Sequence, residues 1–278
     1  MVETRTAFRG PGEDVTMDAG TEALLRIESL SKVYATGDGP VRALDQVSLT
    51  AQRGQFLSIL GPSGCGKSTL MMIAAGLASP SSGSVIAEGK RVDRPRTDIG
   101  IVFQSPVLLE WRTALQNVLL QAEARNLDRA ASEAAARALL AQVGLAGFEN
   151  KYPHELSGGM RQRVSICRAL VHQPHQLLMD EPFGALDALT RDQIALDLQK
   201  LWSDRQMTVL FVTHSIAEAV FLSDQVVVMT PRPGRIDSVI DIDLPRPRTL
   251  AMRDTPQFAA YTRQIRDLFL ASGVLREH

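Results

Sequence analysis

Nine consecutive residues, GPSGCGKST, fit the pattern G-x-x-x-x-G-K-[ST] and lie between an apolar run, FLSIL, and a helix-like run, TLMMIAAGL. In that setting the residue types serve one chemistry, the holding of a polyphosphate. Gly61, Gly64 and Gly66 let the loop, which also carries Pro62, Ser63 and Cys65, wrap a β-phosphate, and the N–H groups of the following helix start, through Thr69, add to the field. Lys67 neutralises β- and γ-oxygens and Ser68 offers a hydroxyl to Mg²⁺. Such a cradle calls for a carboxylate at the end of another buried strand. QLLMDEP supplies Asp180 for the metal, largely through water, and Glu181 to polarise an attacking water. His214 closes a third apolar strand, TVLFV, and reads as a γ-phosphate contact at the same crevice. His154, His172, His175 and His278 have no carboxylate or cysteine company at ligand spacing; for His172 and His175, framing a Pro, a solvated loop is expected.

A second phosphate cradle follows downstream. LSGGMRQRVSICRAL places Ser157, Gly158 and Gly159 before an amphipathic helix, an arrangement that also offers backbone N–H groups to an anion. A capping role accounts for Ser157 and leaves the paired glycines without a reason.

The elements that must position these residues follow an α/β pattern. Strand-like alternation begins at LLRIESLSKVY and continues to the apolar FLSIL. From Trp111 to Gly147 the chain is Ala-rich, with Leu at three- and four-residue spacing, and predicts helices; strands resume at QLLMDEP, TVLFVTH and QVVVMT. After Thr230, RPGRIDSVIDIDLPRPR reads as a hairpin and a Pro-stiffened linker, and FAAYTRQIRDLFLAS as a closing helix. The expected organisation is a flexible leader over 1–21, a main domain over 22–230 with a helical subdomain at about 105–172, and a C-terminal hairpin, linker and helix over 231–278.

Composition excludes other classes. The 278 residues are 45% hydrophobic and 22% charged with a formal net charge of −1, which excludes a largely disordered chain and offers no basic excess for nucleic acid. Two cysteines are too few for a disulfide scaffold; Cys65 and Cys167 read as free thiols, and Cys65, at a helix N-terminus, is expected to be thiolate-prone. The first residues mix charge, Gly and Pro, so no secretory signal is expected, and the most apolar long window is broken by His214, Glu218 and Asp224.

Six motifs in order, GPSGCGKST, IVFQS with Gln104, LSGGMRQR, LLMDEP, the ALD of FGALDALT and His214, resemble the ATP-binding cassette (ABC) ATPases from about Leu24 to Thr230. The finer resemblance is to ATPase subunits of nitrate/sulfonate/taurine-type importers, carried by VFQSPVLLEWRTALQNV and IDLPRPR. Glu110 stands where that group usually has Pro, and LSGGM replaces the more usual LSGGQ.

The resemblance implies a P-loop NTPase (RecA-like) core with an antiparallel β subdomain and an inserted α-helical subdomain, using ATP and Mg²⁺. It implies that Tyr34 stacks on adenine, that Gln104 contacts Mg²⁺ or the attacking water, and that Asp187 crosses a dimer interface. Two chains pack head to tail, so that Ser157, Gly158 and Gly159 of one chain close on the nucleotide held by the other. Leu108, Leu109 and Trp111, readable as plain core, then line a groove for a transmembrane permease. An extracytoplasmic solute-binding protein, a site on the cytoplasmic face of the inner membrane and no nucleic acid complete the expectation. A cassette acting on DNA or ribosomes is the alternative; the long coiled coils or paired cassettes usual there are absent from the sequence. A regulatory module without turnover is disfavoured by Glu181 and His214.

Overall fold

The computed structural model describes residues 23–275; the leader expected over 1–21 lies outside the described residues. Two sheets and a helical layer make up the fold. The first sheet contains β1 (Ala23–Thr36), β2 (Gly39–Gln52), β4 (Ser82–Ala87) and β5 (Lys90–Arg91), antiparallel in the order β2-β1-β4-β5. In β1, Leu25 and Ile27 are buried while Arg26 and Glu28 lie outside, the period-2 signal of its sequence, and an irregularity at Ser29 resets the alternation so that Leu30 is buried too.

The second sheet has the order β10-β9-β3-β8-β7-β6. Its strands β3 (Phe56–Leu60), β6 (Ile99–Val102), β7 (Gln176–Asp180), β8 (Thr208–Thr213) and β9 (Gln225–Met229) run parallel. Only β10 (Ile236–Asp241) is antiparallel, as a hairpin partner of β9. Both faces of the parallel strands are covered, which is why FLSIL and TVLFVT are apolar almost without interruption and buried throughout. Gln176, the polar start of β7, is buried because its Oε1 accepts a hydrogen bond from Arg96 Nη1 at 2.6 Å.

Helix α1 (Lys67–Ala74) leaves β3 through the glycine loop. Between β6 and β7 run α2 (Ala114–Ala124), α3 (Arg129–Gln142) and α4 (Gly158–Leu170), joined by buried Val118, Leu139, Leu140 and Val164. Buried Asn117 ties the preceding loop to α2, its amide donating to the Leu109, Arg112 and Thr113 carbonyls and its oxygen accepting from Leu109 N. Helices α5 (Ala188–Arg205), α6 (Ile216–Leu222) and α7 (Pro256–Ala271) complete the layer.

The segment IDLPRPR is more than a linker. Arg248 is 2% exposed, and its guanidinium donates to the carbonyls of Val220, Phe221, Ser223, Ile242 and Leu244. The first three sit at the end of α6, where helix carbonyls lack intrahelical partners and the dipole favours a cation. Its backbone exchanges two 2.8 Å hydrogen bonds with the Gln199 amide of α5. Burial lowers the Arg248 pKa to about 10, which leaves it charged at neutral pH. Replacing Arg248 with Met strips buried carbonyls of their donor and should destabilise the fold by at least ~3 kcal/mol. Urea unfolding checks this, and a loss below ~1 kcal/mol would contradict the clamp.

Candidate active site

The carboxyl ends of β3, β8, β7 and β6 lie side by side: Leu60 pairs with Thr213, Val212 with Asp180, and Met179 with Val102. Adjacent strand ends therefore bring together residues that are far apart in sequence. Open parallel sheets bind ligands at this edge.

The loop after β3 is built for an anion. Gly66 has φ +104°, and a Cβ there would lie 2.7 Å from Leu44 Cδ2 and 2.8 Å from the Ala43 carbonyl, so only glycine fits. Every other α-helix among the described residues has a side chain capping its N-terminus; α1 has none. Its first N–H groups are thus left for a ligand. Lys67 is buried, its ammonium donating to the Gly61 and Pro62 carbonyls at 2.9 Å each and lying 3.5 Å from Glu181 Oε1.

Glu181 stands between two nitrogens, for its other oxygen is 3.0 Å from His214 Nδ1. Its backbone is left-handed (φ +43°), with its N–H bonded to the Val212 carbonyl at 2.9 Å and its carbonyl accepting from Gly184 N. This turn stops β7 and fixes where the carboxylate goes. Asp180 Oδ1 accepts from Ser68 Oγ at 3.0 Å, and burial pushes the Asp180 carboxyl up. Gln104 lies two residues past β6, the strand beside β7, and a Cβ built on Gly184 would be 3.8 Å from its amide nitrogen. A hydroxyl, a carboxylate and an amide oxygen form a donor set suited to Mg²⁺, a hard cation. Among the described residues no group of three or more His, Cys, Asp or Glu could hold a metal.

Tyr34 is 40% exposed, with its hydroxyl 3.5 Å from Thr69 Oγ1 and Lys32 Nζ 4.9 Å from its ring centre. The ring is open to a base on the flank of the phosphate cradle. Ser157 Oγ caps α4 by accepting from Met160 N, and Asp187 caps α5 by accepting from Thr190 N. Asp187 has its carboxyl pKa held low by that backbone donor. A Cβ on Gly159 would meet Thr190 Cγ2 at 2.3 Å, so this glycine has a packing reason within its own chain, which the sequence reading did not find. Gly158 has nothing within 4 Å and keeps no such reason.

Other expectations are corrected. Cys65 is 1% exposed, and desolvation raises its thiol pKa, outweighing the pull of Lys67; a thiolate-prone cysteine is not what the loop holds. His172 is half-buried, its Nε2 3.2 Å from both Arg125 Nη2 and the Ile99 carbonyl, and burial lowers its pKa. It is therefore not a solvated loop residue. His175 matches the expectation of an exposed one. Trp111 is 74% exposed and Leu108 packs on the core, so the apolar cluster divides between the two readings; Val107, 62% exposed, extends the outer part and was missed.

A polyphosphate cradle at the carboxyl edge of a parallel sheet, with a carboxylate poised beside it, is the working part of a P-loop ATPase. The ABC transporter family profile matches residues 44–184. The chain is 46% identical over 234 residues to the bicarbonate transport ATP-binding protein CmpD of Synechocystis sp., covering 83% of each. It is 44% identical over 241 residues to the nitrate import ATP-binding protein NrtC of Synechococcus elongatus, covering 84% of this chain and 36% of that protein. A dimeric post-hydrolysis structure of the ATP-binding cassette MJ0796, bound to ADP and Pi, superimposes with a TM-score of 0.71 at 32% identity, over 79% of this chain and 99% of that one. The chain belongs to the ABC transporter family and is an ATP-hydrolysing cassette that uses ATP and Mg²⁺.

The raised thiol pKa sets a sign for Cys65 chemistry. At pH 7 the thiolate is scarcer than for an exposed cysteine, and burial blocks access, so maleimide labelling of native protein should be slow, rise with pH, and change little on adding MgATP. Mass spectrometry of the labelled peptide checks it; fast labelling that MgATP blocks would contradict the buried thiol.

Proposed function

We propose that this chain is the ATPase subunit of an importer for a small anion, working as a homodimer on separate permease subunits at the cytoplasmic face of the plasma membrane. The observation that carries the reading is Glu181, held by Lys67 on one side and His214 on the other, next to the uncapped start of α1. Lys67 has only loop carbonyls and one carboxylate as partners, and a triphosphate is the stronger one. As Lys67 turns to the phosphates, Glu181 is released to take a proton from water, while His214 keeps the carboxylate oriented and reaches the γ-phosphate.

Ser68, Asp180 and Gln104 would hold Mg²⁺, which supplies neutralisation of the β- and γ-phosphate charge. Gly61, Pro62, Ser63, Gly64, Cys65, Gly66 and Thr69 supply the loop backbone around the phosphates, and Tyr34 the face for adenine. Ser157, Gly158 and the backbone of Gly159 of a second copy would complete each site, with Asp187 at the seam. Gly158 supports this, because an open glycine at a helix start leaves room for an anion.

Exposed Val107 and Trp111 suit a groove for a permease helix. No helix among the described residues is long and apolar enough to cross a membrane, so the pore is assigned to other chains. Relatives named for bicarbonate and nitrate support a small oxyanion, delivered by an extracytoplasmic solute-binding protein. The helices inserted between β6 and β7 are of 11, 14 and 13 residues, not long coiled coils, which favours transport over DNA or ribosome work.

Replacing Glu181 with Gln should cut hydrolysis by ~10²–10⁴ while ATP binding by calorimetry stays intact or tightens, because Lys67 loses a competing carboxylate. Wild-type turnover in that variant would remove Glu181 from its role. The composite site is tested by mixing Lys67→Ala with Gly158→Asp protein, each damaged at both sites as a homodimer. In the mixed dimer one site unites both lesions and the other is whole, so vanadate trapping of nucleotide should exceed the sum of the separate variants. No such recovery in proven heterodimers would sink the shared site.

A further inference from the structure

Behind Glu181 and His214 lies an ion pair, Glu218 buried and Arg191 about a third exposed, that the reading above does not use. Arg191, in the first turn of α5, donates from Nη2 to the Leu186 carbonyl at 3.0 Å. Leu186 immediately precedes Asp187. The same guanidinium places Nε 3.5 Å from Glu218 Oε1 on α6, and that Nε has no hydrogen-bond acceptor. Glu218 is 7% exposed, and its second oxygen accepts from Thr213 Oγ1 at 2.6 Å. The Thr213 hydroxyl oxygen in turn accepts from Ser215 N at 3.0 Å. One hydroxyl therefore ties together the residues on either side of His214.

The contacts close into a ring. From His214 the path runs to Glu181 at 3.0 Å, then through the turn in which Gly184 N bonds the Glu181 carbonyl and Leu186 N the Phe183 carbonyl, and so back to Arg191. Ser215 and Glu218 have the spacing of a reciprocal helix cap, and Ser215 Oγ does accept from Glu218 N at 3.4 Å. The Glu218 carboxylate departs from that pattern by bonding Thr213 instead of the Ser215 N–H. The nearby Arg253 is paired with Asp192 at 2.5 Å, which leaves Arg191 as the ion-pair partner of Glu218.

An ion pair with one partner this exposed is weak evidence for stability, since solvent screens the guanidinium and desolvation of the carboxylate offsets the attraction. Here it spans the two turns that carry Asp187 and His214. We propose that Arg191 and Glu218 are positioning residues for hydrolysis, locking the 186–187 turn to the 213–215 turn and so holding Asp187 and His214 in a fixed relation. The inference rests on the roles given above to Glu181 and His214.

The test is a cycle of Arg191→Met, Glu218→Gln and the double variant in the full chain, with Arg191→Lys as the conservative change. Each single variant should lower kcat about tenfold at an ATP KM within about twofold of wild type, and the double should be no worse than either single. Arg191→Lys should recover most of the loss. In nucleotide-free protein, amide exchange at Leu186 and Ser215 should rise about tenfold in both single variants without a matching rise across the β-sheet. Multiplying losses in the double variant, or a lower thermal midpoint with kcat and local exchange intact, would overturn the proposal and leave the pair structural. A fully active Glu181→Gln control would instead refute the role of Glu181, and the pair would then stand or fall on the exchange result.

Discussion

The buried ammonium of Lys67 is the group on which the site depends. A cation 4% exposed needs partners, and it has two carbonyls from the loop and a carboxylate from the turn after β7. None of them is the partner for which the loop is shaped, because the N–H groups at the start of α1 surround the same space without a cap. Protein groups thus satisfy Lys67 at a loop shaped for phosphate. The contact that stabilises Lys67 also engages Glu181, so one charge couples the glycine loop to the turn after β7.

That coupling needs strand ends fixed to within a hydrogen bond's tolerance. The parallel sheet provides this, since β3, β8 and β7 are buried on both faces and their register sets the height of the glycine loop, His214 and Asp180 together. Phe56, Phe183 and Phe211 pack with ring centres 5.4–5.8 Å apart beneath the site, which locks the turn after Glu181 onto the sheet.

The periphery extends the same logic. Arginines without a place in the chemistry act as clamps: Arg248 satisfies the end of α6 and Arg246 bonds Asp224 while stacking over Trp202 at 4.1 Å. Arg253 joins α5 to the C-terminal segment through Asp192. Helices α5 and α6, whose starts follow Asp187 and His214, are thereby held from behind.

Much of the element order and the residues of the phosphate cradle are legible along the chain. A lysine after a glycine loop, a carboxylate pair after an apolar run and a histidine after another are local patterns, and local patterns survive in one dimension. The helix start at Ser157 is legible too, because a cap bonds an amide three residues away. Other features depend on neighbours distant in sequence. Cys65 looked activated by its helix end, yet burial outweighs that field. Gly159 has, besides any role toward a ligand, a packing reason that comes from Thr190 on another helix. Arg191 carries no signal of its own, Glu218 only the spacing of a helix cap, and IDLPRPR reads as a linker until Arg248 is seen inside. Desolvation, close packing and buried ion pairs are properties of three-dimensional surroundings, so no spacing along the chain encodes them.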